Sequence, residues 1–479
     1  MKKNRILMAL VALALVMGLT AGLVSADSTT KPLATNYSLV NLSPNDTEAT
    51  VNYYLQDGSE WKTADVLPIP GNGGQIQIRQ YTDPNLTAGA GSAVVSSLEP
   101  LAGLVQVVVP ASTGAVPTSG AYTAISEGSS VYYIPQVAKN GSSATGIMSA
   151  WIIIQNLGAD PVDVEVVLTK YGSATPEYTK TITGIEPGAS YYYDLDNEAN
   201  ITDGFYSAVV DAGTGTIGVV ANLFFGSDGM MAVNAFPQEA LTDAWAIPML
   251  FSRLSNSLVT SLLFQNLSGV EIPVGDIVLN CTPDPASADQ TTITTSNASA
   301  IPVNGIQSWN SLTQTSIFPT NWYGPCTVTS TAGNGLVGII QYRFSANANM
   351  SAYEAIPLTS TDTSVFVPLV AKRLTNKFCT VITFVNLSDA DVTVDLSWTH
   401  SAESPFTDDY TENDVTIPGN GSFQRNLCLA DQPIGLSMPD RWIGTVSAVG
   451  TGPVAAYVQN RYNPATGDQY QAYLGITQP

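Results

Sequence analysis

From residue 149 to residue 236 the hydrophobic and polar positions follow strand periods. Residues 149–155 form an apolar, β-branched run, and residues 162–166 read Val-Asp-Val-Glu-Val, turning Val to a core and carboxylates to water. Further runs at 178–182, 191–193, 206–210, 217–225 and 231–236 are separated by Gly, Asp, Asn and Pro turns. The pattern predicts about seven strands in roughly 110 residues, the strand count and turn density of an immunoglobulin-like sandwich. No amphipathic helix stands out anywhere in the chain.

The same pattern recurs four times. A strand ending in Asn-Leu closes at Asn41-Leu42, Asn156-Leu157, Asn266-Leu267 and Asn386-Leu387. A turn with Ile, Pro and Gly follows at Ile69-Pro70-Gly71, Ile185-Glu186-Pro187-Gly188, Ile301-Pro302 with Gly305, and Ile417-Pro418-Gly419. Next comes a Gly before a β-rich run (Gly89, Gly204, Gly324, Gly444), then a closing strand around Tyr122, Val233, Tyr353 and Tyr473. Extended connectors, Ile134-Pro135, Ile247-Pro248 and Val367-Pro368, introduce units two to four. Proline fixes φ and lacks a donor N–H, so each connector suits a first or edge strand, and the first unit lacks one, as an atypical terminal repeat does. The expected architecture is all-β: after a signal peptide at 1–26, four tandem immunoglobulin-like antiparallel β-sandwich domains at 31–126, 127–239, 240–359 and 360–479, strung as a stiff rod.

Four cysteines permit three connectivities, which sequence alone does not decide. On the immunoglobulin plan, Cys281 ends one strand and Cys326 begins its antiparallel neighbour, while Cys379 and Cys428 are placed likewise in the other sheet. Disulfides Cys281–Cys326 and Cys379–Cys428 are therefore expected, each within one unit, in an oxidising compartment.

Composition narrows the function. The 479 residues carry 17 Lys+Arg against 39 Asp+Glu, a net charge of -22, which repels nucleic acid phosphates. Lys2, Lys3 and Arg5 precede an uncharged apolar stretch to Leu23 and the small-residue site Val24-Ser25-Ala26, the pattern of an export signal cleaved before Asp27. No later segment has membrane-spanning length, so the mature chain is expected to carry no transmembrane segment and to lie outside the cell or on its surface.

Candidates for chemistry are few. His400 is the single histidine, and no Gly-x-Ser-x-Gly elbow accompanies it. Oxygen donors cluster at Asp194, Asp196, Asn197, Glu198, Asn200 and Asp203, and again at Asp408, Asp409, Glu412 and Asp414. Calcium takes such oxygen ligands, although the first cluster lacks the Gly and Glu of a helix-loop-helix calcium loop; solvated acidic loops are the simpler reading of both. Trp151, Trp309, Trp322, Trp398 and Trp442 suit either a sandwich core or a sugar-stacking face, and of the consecutive Tyr191, Tyr192 and Tyr193 at least one must point outward. The Asn-Leu-Ser turns at Asn41, Asn266 and Asn386 are also glycosylation sequons. No catalytic, cofactor-binding or metal-ligating set emerges.

The fullest unit runs through Val367-Pro368-Leu369, Val385-Asn386-Leu387, Ile417-Pro418-Gly419, Trp442-Ile443-Gly444, residues 453–459 and Ala472-Tyr473. It resembles the tandem β-sandwich repeats of secreted bacterial cell-surface proteins, over residues 31 to 479, although no sorting motif or hydrophobic tail precedes Pro479. The resemblance implies a secreted or surface-attached structural or adhesive protein, a spacer or coat component without catalytic activity. Its partners would be other surface proteins, copies of itself or cell-envelope glycans. Two competing expectations are an extracellular carbohydrate-binding protein using Tyr and Trp faces, and a subunit of a filament or surface layer assembled through edge strands.

Overall fold

The computed structural model describes residues 13–16, 33–109, 118–143, 146–226, 229–331, 333, 335–345, 349–431, 436–462 and 470–477. Most of the expected leader thus lies outside the described residues. Those described build eight antiparallel sheets and no α-helix, in four pairs with one recurring strand order. In the last pair, one sheet runs Ser422–Asn426, Cys379–Asn386, Val454–Arg461, Tyr470–Leu474. The other runs Tyr410–Ile417, Val392–His400, Ile443–Gly450, Ser364–Ala371 and Ile476–Thr477. The Asn-Leu strand is thus central in its sheet. All seven strands expected between residues 149 and 236 form, and Val162, Val164 and Val166 are buried while Asp163 and Glu165 are exposed.

The repeated asparagine explains why its turn recurs. Asn41, Asn156, Asn266 and Asn386 are at most 1% exposed. Each Nδ2 donates to the carbonyl four residues on, at 2.7–2.8 Å (Asn45, Asp160, Val270, Ala390), and to that of the turn isoleucine (Ile69, Ile185, Ile301, Ile417). Each Oδ1 accepts the backbone N–H two residues on, from Ser43, Gly158, Ser268 and Ser388. One side chain therefore ties the turn together at three backbone points, beside the strand pairing that Ile69, Ile185, Ile301 and Ile417 keep with Thr47, Val162, Ile272 and Val392. The following turn needs glycine for space: a Cβ on Gly419 would lie 1.9 Å from the Asp389 oxygen, and one on Gly71 2.2 Å from that of Pro44. In the first unit Gly89 stands just before the strand Gly91–Ser97, as expected.

The connectors are strands. Val131–Lys139, Ala244–Ser252 and Ser364–Ala371 each pair with a neighbour through a register shift spanning the proline, where a missing N–H costs the ladder nothing. They do not space the units along a rod. The closing strand Gly229–Asn234 lies against both Thr118–Thr123 and Met350–Glu354, and Tyr470–Leu474 lies against Met350–Glu354 and again against Thr118–Thr123. Four elements, each touching the next and the last touching the first, make a closed ring. The geometry is that of a head-to-tail interface whose rotation closes, here within one chain.

Candidate functional site

The ring centre is built from closing strands that are buried on both faces. Val233, Tyr353 and Tyr473 turn into the cores of their own units, while Met230 and Ala232 pack into the core of unit one, Met350 and Ala352 into that of unit two, Tyr470 and Ala472 into that of unit three, and Ala121 into that of unit four. Small side chains permit this closeness: a Cβ on Gly120 would stand 2.8 Å from the Ala232 nitrogen. At the next position along each strand stand Thr123, Asn234, Glu354 and Leu474. Asn234 donates from Nδ2 to the Thr123 carbonyl at 2.9 Å and from its backbone N–H to Glu354 Oε1 at 2.6 Å, so three units share one polar chain. Burial pushes the Glu354 carboxyl up to about 7, against the lowering pull of the backbone N–H groups it accepts.

Glutamine pairs hold the seams. Gln106 Nε2 donates to Gln471 Oε1 at 2.7 Å between units one and four, and Gln341 donates to Gln136 between units three and two. Gln75 donates to the carbonyl of Pro368, so a connector strand of unit four also binds unit one. At the outer surface of that seam Arg79 pairs with Glu403 at 2.9 Å. Apart from Pro368 of the connector, none of these residues was marked out by the sequence as a contact between units. A signal was present in one closing strand: Met230-Met231-Ala232-Val233 is apolar at successive positions rather than alternate ones, the mark of a strand covered on both faces.

The residues singled out from sequence lie elsewhere and do not converge. His400 Nδ1 sits 2.7 Å from Asp409 Oδ1 on an exposed strand end. Glu412 is bound by Arg425, at 2.5 Å, and by Trp398 Nε1 at 3.2 Å, and the Asp414 N–H donates to Asp395. The Asp408 carbonyl accepts from Trp442 Nε1 at 3.1 Å. In the other cluster Glu198 pairs with Lys180 at 3.2 Å, which holds its carboxyl below the usual range despite burial, while Asp194 Oδ2 accepts from Asn197 Nδ2, Asp196 Oδ1 from the Asn140 N–H, and Asp203 Oδ1 from Asn140 Nδ2. Among the described residues no three His, Cys, Asp or Glu side chains gather as a metal site would require. Trp309, Trp322, Trp398 and Trp442 are fully buried and Trp151 is 6% exposed, so these rings pack cores and joints. Tyr191 is the outward-facing member of its run; Tyr192 donates to the Gly91 carbonyl at 2.9 Å, across the joint of units one and two. The cysteine sulfurs reach bonding distance in the expected pairs, 2.08 Å for Cys281–Cys326 and 2.04 Å for Cys379–Cys428.

No protein-family model matches the chain, and no curated protein matches it. Among solved structures it is similar to one described as the crystal structure of Thermotoga maritima 1070, at 16% identity over 23% of this chain and 97% of that one, with a TM-score of 0.20. So low a score carries no argument about either fold or function.

Proposed function

We propose that this is an exported, non-catalytic structural and adhesive protein, a coat or scaffold component of the cell surface whose four sandwiches form one ring-shaped body. The observation that carries this reading is the employment of its polar groups. The acidic residues and the histidine singled out from sequence are tied to each other or to backbone in local pairs, and Gln106, Gln471, Gln136, Gln341 and Gln75 hold joints between units. An acidic exterior keeps such a body soluble and away from polyanions. Repetition around a ring presents equivalent outer faces to surface proteins, to further copies or to envelope glycans, so weak contacts add through avidity.

Immunogold labelling of source cells, with the purified protein applied in parallel to arrays of envelope polysaccharides, tests the reading. Label on the outer surface and no retention by free glycans is the expected result. Cytoplasmic label would overturn it, and strong retention by one glycan would replace it with the carbohydrate-binding alternative.

A further inference from the structure

Among the described residues the first unit shows no connector strand of its own. In units two to four the connector strand lies beside the strand that begins at Gly204, Trp322 or Ile443. It buries its apolar residues there, among them Ile134 and Val137, Ile247 and Leu250, Val367 and Val370, none of them exposed at all. It also forms the joint with the next unit, as the Gln136 and Pro368 bonds show. In unit one the same place, beside Gly91–Ser97, is taken by Leu13–Val16, antiparallel, with Leu13 opposite Val95 and Val16 opposite Ser92. That segment lies within the leader, and it runs against Gly146–Asn156 of unit two.

Chain length explains the substitution. The other connectors end at Lys139, Ser252 and Ala371, before Asn156, Asn266 and Asn386. The same distances counted back from Asn41 end such a strand at residues 24 to 27, at the expected cleavage site. Cleavage before Asp27 leaves residues 27 to 33 ahead of Ala34, too few to turn and run back along the whole of Gly91–Ser97. The slot thus loses its occupant while the apolar cluster at this joint remains, with Ala93 and Val95 on the acceptor strand and Trp151 and Ile153 on the strand of unit two that Leu13–Val16 runs against. A bare strand edge beside an apolar floor is a template for another strand.

We infer that the processed chain carries a strand-acceptor site beside Gly91–Ser97, at the joint of units one and two, filled by an extended apolar segment donated by another polypeptide. The three filled slots specify the donor: a strand of about eight residues with apolar side chains on the face turned inward, running antiparallel to the acceptor. The site is continuous with the ring's own joints, so a donor strand completes unit one and ties its parent chain to the ring in one step. This rests on removal of the leader.

The test uses the exported protein, whose intact mass fixes where it begins. A fluorescent peptide copying Val131–Lys139, with a Lys-Lys tail for solubility, should bind saturably, raise the melting temperature and slow amide exchange at Gly91–Ser97 by about tenfold or more. The same peptide carrying Ile134→Asp and Val137→Asp should bind at least about tenfold more weakly, because each change buries a charge. A processed chain that binds neither peptide, with exchange at Gly91–Ser97 unchanged, would overturn the acceptor site. A mass that still includes residues 13 to 16, with their amides protected, would overturn the leader reading instead and make Leu13–Val16 the permanent strand of unit one.

Discussion

Gln106 Nε2 lies 2.7 Å from Gln471 Oε1, a hydrogen bond between residues 365 positions apart that joins the first unit to the last. Beside it Ala121 packs into the core of unit four. These contacts turn a row of sandwiches into a ring. The chain should therefore scatter X-rays as a compact particle with a radius of gyration of about 23 Å. Ala121→Arg, which forces a long charged side chain into a closed apolar joint, should open that seam alone and produce a larger, elongated profile with the β-sheet circular dichroism retained. An unchanged profile for the variant would show that this joint does not hold the ring shut.

The turn asparagines are structural, and their substitution should be costly. In Asn386→Ala the carbonyls of Ala390 and Ile417 and the N–H of Ser388 each lose a bond to the buried amide that holds the turn. An expected loss of about 2–4 kcal/mol follows from leaving such groups unsatisfied, readable as a lower urea midpoint. Asn386→Asp should cost at least as much, since a carboxylate cannot donate to the two carbonyls. The same bonds occupy the nitrogen that a glycan would need, so intact mass of the folded protein should show Asn41, Asn266 and Asn386 unmodified.

Much of this was legible in the chain itself. The strand periods, the fourfold recurrence and the cysteine pairing could be read because each depends on contacts inside one unit, where side-chain alternation and turn chemistry decide the outcome. The ring was not. Its closure depends on glutamines and alanines whose partners lie one unit away or at the far end of the chain, and neither residue type announces a long-range contact. Proline in the connectors pointed to an edge and hence to a linker, whereas a local register shift lets a strand containing Pro248 run between Trp322–Ser330 and Ile356–Pro357. Tryptophans that suited either a core or a sugar platform are buried, a matter that strand period alone does not assign.

The two cysteine pairs should act locally. Cys281–Cys326 and Cys379–Cys428 span 45 and 49 residues, and chain entropy puts the stabilisation from a loop of that size at about 4 kcal/mol as an upper figure. Replacing Cys281 and Cys326 together by Ala should lower the stability of unit three by about 2–4 kcal/mol and leave the other units intact. Hydrogen exchange resolved by segment checks this: faster exchange confined to residues 244–357 is expected, and uniform acceleration through all four units would show the ring unfolding as one body.

Glu354 links ring stability to pH. Its carboxyl sits at about 7 in the folded chain because burial disfavours the charge, against an ordinary value of 4.5. Below pH 4.5 the group is protonated in both states and contributes no pH dependence. Between 4.5 and 7 the unfolded chain has ionised while the folded chain still holds its proton, so stability falls as pH rises through that window and levels off above it. The loss should be about 2 kcal/mol, discounted for the partial exposure of the side chain. Glu354→Gln keeps an acceptor for the Asn234 N–H and removes the charge, so its melting temperature should exceed that of the native chain at pH 8 and match it at pH 4.5. The difference between the two melting curves isolates this one group from the other carboxylates, whose titration is common to both proteins. A variant as pH-sensitive as the native chain would place the dependence elsewhere and leave the polar chain from Thr123 through Asn234 to Glu354 without a role in holding the units together.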